Sequence, residues 1–143
     1  MQHVEVTRTI KAPVDIAWDR YTDHRGWTDW AGLGTVTLEQ QGVGDPNGVG
    51  CVRRITTMGV SIAEEILSFD RPKRMTYRLI RGPVPLKNHL GEVLFSETEP
   101  GRCKIVWRCR FDCTIPLVGG LVQRYVARMF GTTLDRLVTR GGL

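Results

Sequence analysis

From Val4 to Lys11 apolar and polar residues alternate, with Val4, Val6 and Ile10 set against Glu5, Thr7 and Lys11, the period of a half-buried strand. Pro13 stands where a first-turn proline belongs. The period then changes. Ile16, Ala17, Trp18 and Tyr21 are apolar and Asp15, Asp19 and Arg20 polar, which predicts a helix over Val14–Tyr21. Trp27 and Trp30, three apart, predict a second, short helix within Asp23–Ala31, with both rings filling core. Thr35–Gln41 has a strand pattern, and the four glycines and proline of Gly42–Gly50 form a loop. Four more strand-like runs follow, Cys51–Thr57, Val60–Phe69, Arg74–Arg81 and Asn88–Glu99, and then a fifth, Arg102–Ile115. Turn signals separate them.

The chain closes on Val118–Val138, where Val118, Leu121, Val122, Tyr125, Val126, Met129 and Phe130 share one broad helical face. After Gly131 the apolar direction, carried by Leu134, Leu137 and Val138, turns by about 100° at about 100° per residue. This predicts a bend or a gap at Gly131, with the two halves of the helix facing different things. A strand, two helices, six strands and a long helix make an α+β domain with a meandering antiparallel sheet under the last helix.

Composition narrows the picture. A chain of 143 residues is one domain, and 41% hydrophobic and 24% charged residues are ordinary for a globular protein. No apolar run approaches the roughly 18 residues of a membrane span, and the first residues lack a signal peptide's apolar core, so a cytoplasmic protein is expected. The net charge of +5 is spread along the chain without a basic stripe, which argues against nucleic-acid binding. Cys51, Cys103, Cys109 and Cys113 have no metal-type spacing, and Cys109 and Cys113 in one strand would lie about 13 Å apart. Reduced, packed cysteines are expected, with no metal and no cofactor.

Hairpin geometry decides which side chains face the helix, because register fixes the face. A two-residue turn at Met58-Gly59 sets Ile55 opposite Ile62, Arg53 opposite Glu64 and Cys51 opposite Ile66. A turn at Asp70–Lys73 sets Ile66 opposite Tyr77 and Glu64 opposite Leu79. A loop at Gly82–Lys87 sets Tyr77 opposite Glu92, and a turn at Pro100-Gly101 sets Leu94 opposite Trp107, Glu92 opposite Cys109 and Leu90 opposite Phe111. The inner face then holds Ile55, Ile62, Ile66, Met75, Leu79, Leu90, Leu94, Ile105, Trp107 and Phe111. Arg54, Glu65, Arg78, Lys104, Arg108, Arg110 and Asp112 look outward.

The inner face also carries Arg53, Glu64, Tyr77 and Glu92 in adjacent rows, with Arg81 at the rim. Buried charge must be paired or wetted. One account is structural: an Arg53–Glu64 ion pair, with Tyr77 donating to Glu92. The other is a solvated cavity in which these groups orient a mostly apolar ligand.

At this point the sequence resembles the START-like or Bet v 1-like (SRPBCC) superfamily, including its polyketide cyclase/dehydrase group. The resemblance rests on Ala12-Pro13 with Trp18 and Asp23, on Gly50-Cys51-Val52-Arg53, on Glu64 through Asp70, on Tyr77 and on the closing helix. It covers nearly the whole chain. It implies a helix-grip fold, a seven-stranded antiparallel sheet wrapped around a long C-terminal helix, with two short helices after the first strand. It also implies a cavity that in various members holds lipids, polyketides, sterols or hormones. In the similar plant abscisic-acid receptors, two strand motifs supply polar residues that correspond here to Arg53 and Glu64. Met58-Gly59 is too short for those receptors' gating loop, which leaves Gly82–Leu86 to guard the mouth.

Together these readings predict a single START-like domain over residues 1–143 that binds a small hydrophobic ligand, a lipid or polyketide with a polar handle. Arg53, Glu64, Tyr77, Glu92, Trp107, Met75, Met129 and Phe130 would line the cavity, with Arg53 pairing a ligand carboxylate or oxyanion. The rival is a polyketide cyclase or dehydratase with Glu92 or Glu64 as base and Tyr77 as acid. A third is an interaction module. The expected state is a monomer or homodimer without an integral membrane segment.

Overall fold

The computed structural model describes residues 1–143. Gln2–Ile10 (β1) leads through Pro13 into a helix, Val14–Thr22 (α1), whose first bond runs from the Ala17 N–H to the Pro13 carbonyl. A 3-10 turn at His24–Gly26 and a one-turn helix, Trp27–Trp30 (α2), follow. Six strands come next: Thr35–Gln40 (β2), Val52–Thr57 (β3), Val60–Asp70 (β4), Arg74–Arg81 (β5), Leu86–Glu99 (β6) and Arg102–Cys113 (β7). The last helix is Gly119–Thr139 (α3). One antiparallel sheet holds all seven strands in the order β1-β7-β6-β5-β4-β3-β2, and α3 lies along β1 and β7. This is the expected helix-grip arrangement. No helix is long and apolar enough to cross a membrane.

The inner face is as read through the first two hairpins. Arg53 pairs with Glu64, Ile55 with Ile62, Ile66 with Tyr77 and Glu64 with Leu79. Met58 and Gly59 both have positive φ, 52° and 81°, the mirror-image two-residue turn whose twist matches its strands.

β6 differs from the reading. Glu99 pairs with Arg102 as the Pro100-Gly101 turn requires, but the pairing then slips at Thr98, so that Glu97 meets Cys103. A one-residue slip turns the whole strand over. Gly91, Val93 and Phe95 therefore face inward, opposite Cys109, Trp107 and Ile105. Leu90, Glu92 and Leu94 face outward. Glu92 is thus corrected from a cavity residue to an outer-face one, where Arg74 and Arg108 bind its two carboxylate oxygens. Burial works against its charge, but those two guanidiniums hold its pKa below the ordinary glutamate value.

The turn of the apolar stripe expected at Gly131 is also corrected. α3 runs unbroken from Gly119 to Thr139, and Val126, Phe130, Thr133, Leu134 and Leu137 form one continuous buried stripe. Leu121 and Tyr125, read as inward, are 64% and 70% exposed. A Cβ on Gly131 would meet the far end of the Arg8 side chain.

Under the sheet and helices the core is strongly aromatic. Trp18 meets Phe69 and Phe95 edge-on, Tyr21 meets Trp27, Phe95 and Trp107, and Trp107 stacks on Phe130 at 4.0 Å and 7°. Trp27 and Trp30 are core residues, as read. All four cysteines are free, and burial pushes the Cys109 thiol up to about 12.

Candidate functional site

Arg53 is the centre of the polar cluster and is 1% exposed. β3 turns it inward, and Glu64 meets it from β4, with Nε and Nη2 both 2.9 Å from the same oxygen, Oε1. Its Nη1 faces His24 Nδ1 at 3.3 Å. The guanidinium lies between two rings, 4.8 Å from the centre of Trp27 and 4.6 Å from that of Tyr77. Burial disfavours its charge most, but the Glu64 carboxylate together with the Tyr21 and Tyr77 oxygens outweighs that and raises its pKa. Every side of this cation is occupied by protein.

His24 is itself fully buried. Its Nε2–H donates to the Asn47 carbonyl at 3.0 Å, and its backbone N–H donates to Asn47 Oδ1. Nδ1 is then free to accept from Arg53. Burial, followed by the Arg53 charge, holds the His24 pKa well below the ordinary value. The glycine-rich loop before β3 is therefore fastened to the cluster through Asn47.

Tyr77 lies flat over β6. A Cβ on its cross-strand partner Gly91 would overlap the ring carbons, so the ring needs a glycine there. Its hydroxyl accepts a 2.7 Å bond from Trp107 Nε1–H. Burial, then the nearby Glu64 charge, raises its pKa well above the ordinary value. Beside it stands His89, 5.6 Å from ring centre to ring centre. β5 and β6 pair only as far as Tyr77 and Gly91, and beyond that the Leu79 N–H donates to His89 Nδ1 at 3.0 Å.

The structure brings Arg53, Glu64 and Tyr77 together, as read, and adds His24, His89, Trp27 and Tyr21. The Tyr21 hydroxyl is buried without a partner, and burial raises its pKa. Tyr21, His24, Trp27 and Trp30 recur every third residue and are all buried, a periodicity visible in the sequence. Trp107 and Phe130 fill the space between sheet and helix with their own stack. Met75 is wholly buried opposite Phe69 and Val93, in the packed region under α1.

A less covered flank of α3 lies beside that packing. Gln123 and Asp135 tie one flank of α3 to His3 and Arg8 of β1, while Arg136 on the other flank rests against Gly32, ahead of β2. At about 100° per residue, Val118, Val122, Tyr125 and Met129 share the Arg136 flank. They look across the concave face of β3–β5, where Ile62 and Leu79 are half-buried. Gly82, in the segment read as the guard of the mouth, packs on Ile62: a Cβ on it would lie 2.6 Å from Ile62 Cγ2. Two hollows lie elsewhere on the molecule: one of about 390 Å³ between β1 and α3, and one of about 530 Å³ on the outer face around Glu92 and Arg108.

Solved structures share this architecture. The protein XoxI from Bacillus cereus superposes with a TM-score of 0.80 at 18% identity, over 96% of this chain and 93% of that one. A START superfamily protein from Mycobacterium smegmatis gives 0.81 at 10% identity, over 96% and 94%. The di-domain ARO/CYC BexL of the BE-7585A biosynthetic pathway gives 0.78 at 14% identity, over all of this chain and 47% of that one. Among curated proteins none matches. Residues 1–142 match the family described as polyketide cyclase/dehydrase and lipid transport, and the chain belongs to that family.

Proposed function

We propose that this protein binds one small, largely apolar molecule with a polar handle in the groove between the free flank of α3 and the concave face of β3–β5. The observation that carries this reading is the half-covered apolar flank of α3, where Val122 and Met129 only partly pack on the core and Tyr125 is 70% exposed, on the side of half-buried Ile62 and Leu79 and the polar cluster. Such a layout, apolar walls with a few placed polar groups, is the usual composition of a small-molecule site. Covering these walls would supply affinity at about 25 cal/mol per Å². Glu64 and Met129 line the groove, Tyr77 forms its floor, and Trp107 and Phe130 close its deep end.

Turnover as a cyclase or dehydratase is the weaker reading. Glu92 sits on the outer face, and the Tyr77 proton is held in a fully buried hydroxyl. The family match and the ARO/CYC neighbour support a ligand of lipid or polyketide character. Four free thiols suit a reducing compartment such as the cytoplasm.

Native mass spectrometry of the purified protein, before and after incubation with medium-chain lipids, tests the proposal. A one-to-one adduct is expected that Met129→Arg, placing a charge in the groove, abolishes. An adduct unchanged by that substitution would put the ligand elsewhere.

A further inference from the structure

The polar groups of the groove divide into those the protein has used up and those it has left open. Arg53, the obvious partner for an anionic ligand, is used up: one carboxylate, one imidazole and two aromatic rings surround it, and no edge reaches the groove. Glu64 is only half used. Both of its bonds to Arg53 fall on Oε1, its Oε2 takes none, and its side chain keeps 11% exposure. An unpaired carboxylate oxygen accepts hydrogen bonds and repels a second carboxylate.

His89 supplies the complement. Because its Nδ1 accepts the Leu79 N–H, the ring carries its proton on Nε2. That N–H has no partner within the protein, and it is not among the sealed polar atoms without one. Leu79 pairs across the strands with Glu64 on one side and is bonded by His89 on the other, so the two groups flank it in one row. His89 lies on the inner side, beside the Tyr77 ring. One free acceptor and one free donor thus flank Leu79 on the inner side, where the proposed groove runs.

We infer that the polar handle this groove selects is a hydroxyl, donating to Glu64 Oε2 and accepting from His89 Nε2–H, and that carboxylates are rejected. This reverses the expectation that Arg53 would pair a ligand carboxylate, and it rests on the groove reading above. A carboxylate placed there would meet Glu64 and leave its own charge unpaired. An ether has nothing to donate to Glu64. An ammonium satisfies Glu64 but leaves His89 Nε2–H without an acceptor.

Four ligands with one chain and different heads separate these cases: 1-decanol, decanoate, decyl methyl ether and decylammonium, titrated calorimetrically against the whole protein at pH 7.5. Decanol is expected to bind at least tenfold more tightly than decanoate and the ether, with decylammonium between. Equal or tighter binding of decanoate would overturn the inference while leaving the groove intact. Binding of none of the four would remove the groove reading itself, and this inference with it. Single substitution of Glu64 strands a buried guanidinium, so the confirming variant is Arg53→Met with Glu64→Gln, which removes both charges and keeps their bulk. With circular dichroism confirming its fold, it should narrow the decanol preference to below threefold. Retention of the full preference would show that Glu64 does not read the head group.

Discussion

Tyr77 can lie across the neighbouring strand only because position 91 has no side chain. The ring is fully buried and hydrogen-bonded to Trp107, so it has nowhere to move. Gly91→Ala should therefore cost about 1–3 kcal/mol, the range for overpacking a filled core. Urea unfolding measures it, and in a Tyr77→Leu background most of the cost should disappear. An unchanged midpoint in the Tyr77 protein would show that the ring yields. Arg53 follows a different rule. Its attraction to Glu64 offsets desolvation only while both partners stay, and loss of one partner of such a pair typically costs about 3–5 kcal/mol. At this scale the sequence was partly legible. Arg53 and Glu64 could be paired from the turn between them because Met58-Gly59 is a two-residue turn with a known twist. His24 and His89 were not recognised as partners, because a lone histidine gives no period, and its role depends on what the fold sets against each nitrogen.

Among the elements, strand and helix positions followed the periodicity to within a residue or two, but the orientation of β6 did not. Nothing in Glu97-Thr98-Glu99 marks a slip: no glycine is present, and all three residues are polar and exposed. The turn was right and the strand beyond it was inverted. In α3 the error came from treating apolar residues as inward. Tyr125 and Leu121 belong to a second apolar flank beside the packed stripe, and averaging the two produced an apparent turn at Gly131. Since α3 is continuous there, Gly131 brings only the helical cost of glycine, about 1 kcal/mol against alanine. What a Cβ would displace is the far end of a flexible arginine whose exposed pair with Asp135 contributes little. Gly131→Ala should accordingly raise the melting temperature slightly, for a gain of up to about 1 kcal/mol, as thermal denaturation will show. A clear drop would mean that the Arg8 contact matters more than the helix.

Across the whole molecule, two histidines make the fold sensitive to mild acid. Burial first, then Arg53, depresses His24, and burial chiefly depresses His89. Both accept a hydrogen bond in the folded state at Nδ1, the nitrogen that must stay bare. With folded values below the unfolded value of about 6.5, the unfolded chain takes up these protons first. Their stabilising contribution is complete above that pH and is lost progressively as the pH falls through it toward the folded values. The melting temperature should fall between pH 7.5 and 5, and less steeply in His24→Gln relative to its own value at pH 7.5. A flat wild-type profile would show that neither ring resists protonation. The overall architecture was legible because a long amphipathic helix after a strand meander has few ways to cover its stripe. The groove was less so, since whether space is filled by rings or left open depends on how Trp107 and Phe130 happen to stack. The strand order carries one more consequence, in time. β2 to β7 can pair with their neighbours as they leave the ribosome, but β1 pairs only with β7 and then receives α3, whose Asp135 meets Arg8 across 127 residues of chain. The earliest of the seven strands is therefore the last of them to find a partner, and Val4, Val6 and Ile10 stay uncovered until β7 and α3 have been made.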